Sequence, residues 1–328
     1  MREECIPLDR PAAWQAALDG IPHAFGHTWE NCYSMHLTTG HNTFLYLLEF
    51  NNIRIVCPIA ERSFEGHIDI VTPYGFSGFV GTSPFPDFPR YWSQFVARRG
   101  YVCGYIGLNP ILFDPSYYHI SDCYSYNCIY ALDTTKSLEE LFQGLSKNRK
   151  RQIKKAKSTI FVFDNKKLTS FLLDNYLDFY RLKGASEVYQ FAPETLVEMC
   201  HKENVFMVGT EGESGINSVM VFAFSPNFGE YLINISSNEG QENSAALIWR
   251  GVEEAINRNV QWLNLGGGIQ PGDGVAQFKE RFGCACFPIL ALKQVYNNSL
   301  FRQLCEKAGA DYNDLSGFFP PYQAKRRP

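Results

Sequence analysis

Thr43-Phe-Leu-Tyr-Leu-Leu-Glu-Phe50 and Ile53-Arg-Ile-Val-Cys-Pro-Ile-Ala60, joined by Asn51-Asn52, form the stretch from which the rest of the chain can be read. Two apolar runs around a residue pair that tolerates positive φ predict a β-hairpin. Downstream, Phe88–Arg99 has helical periodicity and stops at Gly100, before a strand-like Tyr101-Val-Cys-Gly-Tyr-Ile-Gly-Leu108. The order returns in the second half. Val205–Val208 and Ser218–Phe224 bracket Gly209–Gly215 as a second hairpin, and Ala245–Asn257 reads as a helix capped by Ser244 or Asn243. Val260-Gln-Trp-Leu-Asn-Leu265 then returns as a strand. Phe95-Val-Ala-Arg-Arg-Gly-Tyr-Val-Cys-Gly-Tyr-Ile106 and Ala255-Ile-Asn-Arg-Asn-Val-Gln-Trp-Leu-Asn-Leu265 are the matching helix end and strand of the two copies. The pattern predicts a mixed α/β (α+β) protein built from a duplicated unit, each a mixed sheet flanked by helices. A length of 328 residues suits two domains, placed at 1–130 and 131–328. Two unrelated α/β halves are the plainer alternative.

The remaining segments fill in this outline. Residues 9–19 read as a short helix with Asp9 as cap and Pro11 in its first turn. Ser137 caps a helix with Glu139 and Glu140 in its first turn. Further helices are expected near 168–182 and 193–202, and strands at Cys128–Leu132, Glu230–Ser236 and Phe287–Tyr296. Asp273 caps a short helix that runs through Arg281 and ends at Gly283.

Composition narrows the function. With 45% hydrophobic and 20% charged residues, the chain can bury a core and global disorder is excluded. A formal charge of −4 argues against a general nucleic-acid coat protein. Met1-Arg2-Glu3-Glu4-Cys5 opens without an apolar signal region, and Phe44–Phe50 is far shorter than the ~20 residues of a spanning helix, so no transmembrane segment and a cytoplasmic location are expected. The ten cysteines include no C-x-x-C pair: Cys123 and Cys128 are five apart and Cys284 and Cys286 two apart. Most are read as small buried apolar residues. His23 and His27 are the nearest pair to a metal spacing, but Pro22 and Gly26 disrupt a shared helical face, so no metal is expected.

Three segments carry a family resemblance: the basic Leu145-Ser-Lys-Asn-Arg-Lys-Arg-Gln-Ile-Lys-Lys-Ala-Lys157, Asn264-Leu-Gly-Gly-Gly268, and Asp273-Gly-Val-Ala-Gln-Phe-Lys-Glu-Arg-Phe-Gly283. With Trp29 and Thr72-Pro-Tyr-Gly75 in the first half, their order resembles FemAB-type proteins of the GNAT superfamily. The resemblance implies two tandem GNAT-like domains, the C-terminal one holding the donor and catalytic motifs. It also implies an acyl- or aminoacyltransferase that moves an acyl group from acyl-CoA or aminoacyl-tRNA to an amine of a cell-envelope precursor, an amino sugar or a peptide. No tightly bound cofactor is implied. The Q/R-x-x-G-x-G/A phosphate loop of acetyl-CoA-binding GNAT domains is missing. Asn238-Glu-Gly-Gln-Glu-Asn-Ser244, in its place, holds one glycine and two acids.

An amine attacking a thioester or ester needs alignment, a neutral nitrogen and donors for the developing oxyanion, but no protein nucleophile. By resemblance, Lys279 lies at the transfer site; otherwise it is a solvated helical lysine paired with an acid. Asp273 is either a helix cap or a proton acceptor for the incoming amine. Asn264, Gly266, Gly267 and Gly268, with Asn238 and Ser244, are the candidate donor-binding residues, since exposed N–H groups there can approach an anion. Seven of the eleven residues 147–157 are Lys or Arg. Arg149, Arg151, Lys154 and Lys155 fall at helical spacing as a cationic face for nucleotide or tRNA phosphates, or simply as a solvated one. Phe278 and Phe282, four apart, read as core. Trp29 and Tyr74 are candidates for an acceptor groove, or core aromatics. The alternative to an enzyme is a catalytically silent GNAT-like module that binds tRNA or a nucleotide-linked ligand.

Overall fold

The computed structural model describes residues 1–156 and 159–324, so Lys157 of the basic run lies outside the described residues. It is a mixed α/β protein that divides into two compact units. The first comprises Met1–Pro22, Gly40–Tyr126 and Ile289–Pro328, the second His23–Thr39 and Asn127–Pro288. Two segments therefore depart from chain order: an early helix packs in the second unit and the C-terminal segment in the first.

In the first unit, β1 (Arg2–Pro7), β2 (Asn42–Phe50), β3 (Ile53–Phe64) and β4 (His67–Val71) run antiparallel to their neighbours, with the short β5 (Val80–Gly81) also paired to β3. β6 (Cys103–Gly107) then pairs parallel to β4 and antiparallel to Ala291–Val295. The predicted hairpin is β2–β3, and Asn51 and Asn52 turn it with φ of 48° and 66°. Adjacent left-handed residues suit a two-residue turn because their twist matches that of the strands. Helix α1 (Pro11–Leu18) is preceded by Arg10, not Asp9, and has no side-chain cap; proline in its first turn already removes one unsatisfied N–H.

The second unit opens with α2 (Trp29–Thr39), a helix the sequence reading passed over. Its buried positions are Asn31, Cys32, Ser34 and Met35, too small and polar to produce an apolar stripe. In the first unit α3 (Phe88–Arg99) packs Phe88, Trp92, Phe95 and Val96 over the hairpin and ends on Gly100 at φ 68°. The chain leaves that unit within β7 (Cys123–Asp133) and enters α4 (Leu138–Gly144), where Ser137 and Glu140 form a reciprocal capping box. Next come α5 (Lys147–Lys155), β8 (Ile160–Val162), α6 (Asn165–Leu182) and α7 (Pro193–Cys200). They precede β9 (Val205–Gly212), β10 (Gly215–Phe224) and β11 (Phe228–Ser236). The β9–β10 hairpin is longer than its apolar runs suggested. Gly209 lies within β9, opposite Val219, and a Cβ there would meet Leu168 of α6 at 2.3 Å, so the position needs glycine because of that close approach. Helix α8 (Ser244–Asn257), β12 (Trp262–Gly267) and α9 (Gly274–Glu280) follow; β13 (Ala285–Val295) starts in this unit and runs from Ile289 in the first, where α10 (Asn298–Ala308) follows. The strand order in this unit is β7-β12-β11-β10-β9-β8.

The C-terminal segment is held by one buried carboxylate. Asp69 of β4 accepts from Arg62 Nε at 2.7 Å and from the Tyr322 hydroxyl at 3.1 Å, and Gln323 donates to its second oxygen. Burial raises its carboxyl pKa despite the Arg62 guanidinium alongside. Removing one partner of a buried pair strands the other charge, at a typical cost of about 3–5 kcal/mol. Asp69→Ala is therefore expected to lower the urea midpoint of the protein strongly. Tyr322→Phe, which removes the hydroxyl's bonds to Asp69 and Cys103 but leaves the ion pair intact, should cost less, about 1.5–3 kcal/mol. Equal effects of the two would count against Asp69 as the anchor.

Candidate functional site

The site forms where two parallel strands of the second unit part. β11 and β12 are in register at Phe228–Trp262, Gly229–Leu263 and Glu230–Asn264. There the register ends, although β11 runs on to Ser236 and β12 to Gly267. Strands that separate in this way leave main-chain donors and acceptors facing a gap, where a ligand can engage them. β12 also shifts register against β7 between Asn264 and Gly267. Asn264 stabilises that irregularity, its Oδ1 accepting from Gly266 N at 2.7 Å. Gly266 adopts φ 73°, a conformation side chains other than glycine rarely take.

Lys279 of α9 is at this opening. It is 7% exposed, and its Nζ donates to Gly267 O at 2.6 Å and lies 5.4 Å from the ring of Tyr231, the first residue of β11 beyond the last register pair. Burial pulls its pKa down to about 8, with Cys284 and Asp273 opposing the shift. Among the described residues no carboxylate reaches salt-bridge distance, so it is not the acid-paired surface lysine of the plainer reading.

A second cation is buried beside it. Ser146 caps α5 and directs Arg149 inward, 3% exposed, with its guanidinium 3.9 Å from the Phe278 ring centroid and 5.3 Å from that of Phe282. It donates to Phe278 O at 3.4 Å and to Gln152, while its Nε has no hydrogen-bond partner among the described residues. Burial, with Arg281 nearby, lowers its pKa. The expectation of one cationic face is corrected here: α5 turns Arg149 into the core alongside Ile153, whereas Arg151, Lys154 and Lys155 are exposed. Arg151 hydrogen-bonds Asn148, Lys154 lies over Phe142, and Lys155 pairs with Glu242 at 2.9 Å.

Asp273 is the cap of α9. Its oxygens accept from Ala276 N at 2.7 Å, Ile269 N at 2.8 Å and Gln270 N at 2.9 Å. Those bonds, that to Ala276 foremost, hold its carboxyl below the usual range. A carboxylate so engaged is a poor proton acceptor, which corrects the reading of Asp273 as a base. Gly268 is required by this cap, since a Cβ there would fall 2.5 Å from Asp273 Oδ1. Neither Ser244 nor Asn243 caps α8: a 3₁₀ turn, Gly240–Asn243, leads straight into it, and the Ser244 hydroxyl donates back to Gln241 O. Asn238 is exposed and accepts from Gln241. Trp29 stacks on Tyr33 at 4.8 Å beneath Lys202, and Tyr74 is a half-buried loop residue of the first unit.

One residue was overlooked. Glu230 of β11, register partner of Asn264, is 4% exposed, and burial alone pushes its carboxyl up to about 8. The only signal was an acid at the head of an otherwise apolar strand. The structure thus gathers Asn264, Gly266, Gly267, Gly268, Asp273, Lys279 and Arg149, with Glu230 at the last paired position.

No family model and no curated protein matches the sequence. Solved structures do match in fold. FemX superposes with a TM-score of 0.69 at 9% identity, over 92% of this chain and 99% of its own. A conserved protein of unknown function from Bacteroides thetaiotaomicron reaches 0.60 at 8% identity, over 90% and 99%. L-PGS from Bacillus licheniformis reaches 0.59 at 11% identity, over 91% and 95%. No helix among the described residues is long and apolar enough to cross a membrane. The architecture is that of FemX: the chain shares its fold over 92% of its length.

Proposed function

We propose that this protein is an N-acyltransferase. It moves an acetyl, other acyl or aminoacyl group from acyl-CoA or aminoacyl-tRNA to an amine of a cell-envelope precursor, an amino sugar or a peptide. The observation that carries the reading is a pair of buried cations at α9: Arg149, against the Phe278 ring and carbonyl, and Lys279, on Gly267 O where β11 and β12 part. Buried charges without a counter-ion are costly, and an anionic or transiently anionic ligand removes that cost. Both donor classes carry phosphates, and both develop an oxyanion during transfer.

In the proposed step the acceptor nitrogen attacks the donor carbonyl carbon. A C–N bond forms, the carbonyl oxygen becomes an oxyanion, and the C–S or C–O bond to the donor then breaks. The nitrogen's surplus proton ends on the leaving sulfur or oxygen. Lys279, mostly ammonium at neutral pH, keeps two N–H groups beyond the one on Gly267 O and can offer them to the oxyanion. Arg149 supplies fixed charge for a donor phosphate. Glycines 266–268 let the donor approach the main chain closely.

The testing experiment is thermal stabilisation by acetyl-CoA, by longer acyl-CoAs and by charged tRNA, each alone. A ligand at 100 times its Kd should add about 2.7 kcal/mol. A shift with one donor class that disappears in Arg149→Met supports the reading and selects the donor. Absence of any shift, with no transfer to amino sugar or peptide acceptors, would sink it.

A further inference from the structure

The first unit holds a cavity of its own, of about 680 Å³, between the start of α10 and the segment that follows that helix. Val295, Phe301 and Leu315 give it an apolar side, while Asn298, Ser299 and Asn313 line it with amide and hydroxyl groups. Phe301 is buried and stacks on Phe319 at 5.9 Å, so the apolar side is fixed by the core behind it. The wall beyond α10 is held by its own bonds. Lys293 donates to the carbonyls of Leu315 and Gly317, the latter at 3.0 Å. Asp311 accepts from Asn313 N, and Asp314 from Ser316 N, each at 2.9 Å.

Arg302 and Tyr312 complete the lining and give it a sign. Arg302, one turn after Asn298 on the same face of α10, lies with its guanidinium carbon 4.2 Å from the Tyr312 ring centroid and donates to the Tyr312 hydroxyl. That uses one of five N–H donors. Among the described residues no carboxylate is within salt-bridge distance of Arg302, whereas Lys307 on the same helix pairs with Glu65. Nor does any acid among them line the cavity, because Asp311 and Asp314 are engaged with the backbone of their own turns. The Tyr312 hydroxyl accepts from Arg302 and keeps its own proton to donate, and the Ser299 hydroxyl has one to offer as well.

We propose that this cavity is a binding site for a small organic anion, a carboxylate or phosphate monoester carried on an apolar body. The oxyanion takes N–H bonds from Arg302 and O–H bonds from Tyr312 and Ser299, and the body lies against Val295, Phe301 and Leu315. A planar guanidinium matches the two-oxygen edge of a carboxylate or phosphate, and contact with the Tyr312 ring fixes its plane before a ligand arrives. The volume falls among small-molecule sites, commonly about 300–1,000 Å³, which combine apolar lining with a few placed polar groups. A cation would meet uncompensated positive charge, and a plain hydrocarbon would leave the donors unpaired. The site does not require acyl transfer, and its test does not use it.

The test is calorimetric titration of the intact protein with phenyl phosphate, benzoate and benzyl alcohol, the last a neutral molecule with the same body. At least one anion should bind, and benzyl alcohol should bind about 10-fold more weakly or worse, as expected when charge-assisted hydrogen bonds are lost. The tighter anion tells a phosphate head group from a carboxylate. Arg302→Met, at an exposed position, should keep the wild-type Tm and weaken the anion about 10-fold or more. Ser299→Trp, which fills the cavity, should abolish binding. Arg149→Met, which removes a cation of the lysine site, should retain the binding, and Arg302→Met should weaken it as much in that background. Failure of both anions to bind at millimolar concentration, equal binding of benzyl alcohol, full affinity in Arg302→Met or Ser299→Trp, or loss of binding in Arg149→Met would each overturn the proposal.

Discussion

Lys279→Met is expected to slow acyl transfer about 100-fold or more while leaving the protein folded, the loss typical when one preorganised oxyanion donor is removed. Methionine fills the space of the lysine stem but offers no proton. It also removes a buried cation, so stability should hold or rise. The sign follows from the shift: folding lowers the pKa of Lys279 to about 8, so the unfolded chain binds the proton more tightly. The penalty is full below pH 8 and fades as pH climbs toward the ordinary lysine value, so wild type gains stability through that window and Lys279→Met does not. Activity should follow the opposite course. An ammonium acting as donor predicts that transfer declines as pH rises through about 8, whereas a neutral amine acting as base predicts an increase. A Lys279→Met enzyme with wild-type turnover would remove the lysine from the mechanism, and a profile that rises there in wild type but not in Lys279→Met would make it a base and not an oxyanion donor.

Glu230→Gln should give the largest gain in stability, and only at alkaline pH. In the fold its carboxyl titrates near 8, because burial in β11 penalises the charged form. Unfolded, it titrates near an ordinary ~4.3, and each unit between the two is worth about 1.4 kcal/mol. The folded protein binds the proton more tightly, so stability falls as pH rises from the ordinary carboxylate range toward 8, with the full penalty above that. Glutamine does not titrate and escapes the penalty, although its buried amide, if unpaired, costs about 1–3 kcal/mol. The net change should be a Tm gain of roughly 5–10 °C at pH 9, at about 2–4 °C per kcal/mol for a unit of this size, and little or no gain at pH 5. Tm differences between mutant and wild type that are the same at both pH values would show that Glu230 is not buried in a form that must shed a proton. If turnover also falls, Glu230 belongs to the proton path of the reaction as well as to the interior.

The large features of the fold were legible because each depends on residues close in sequence. The Asn51-Asn52 turn, the Ser137–Glu140 box, the Asp273 cap and the glycine stops at 100 and 283 are local devices whose side chains and backbone satisfy one another within a few positions. Lys279 and Asn264-Leu-Gly-Gly-Gly268 were legible through family resemblance, which is itself a local pattern. The misses share a different cause. Helix α2 buries small polar residues, so its own periodicity is faint, and it folds against α7, far along the chain. Arg149 reads as one more charge in a basic run until Phe278 and Phe282 supply aromatic faces that draw it inward.

By itself the sequence determined most of the elements and their order, since hydrophobic period and capping chemistry act over one or two turns. Only the tertiary structure decided which polar groups lose water. That selection made Lys279, Arg149 and Glu230 perturbed groups and spent Asp273 as a cap. Desolvation depends on every neighbour within a few ångströms, and those neighbours come from strands and helices that local spacing cannot bring together.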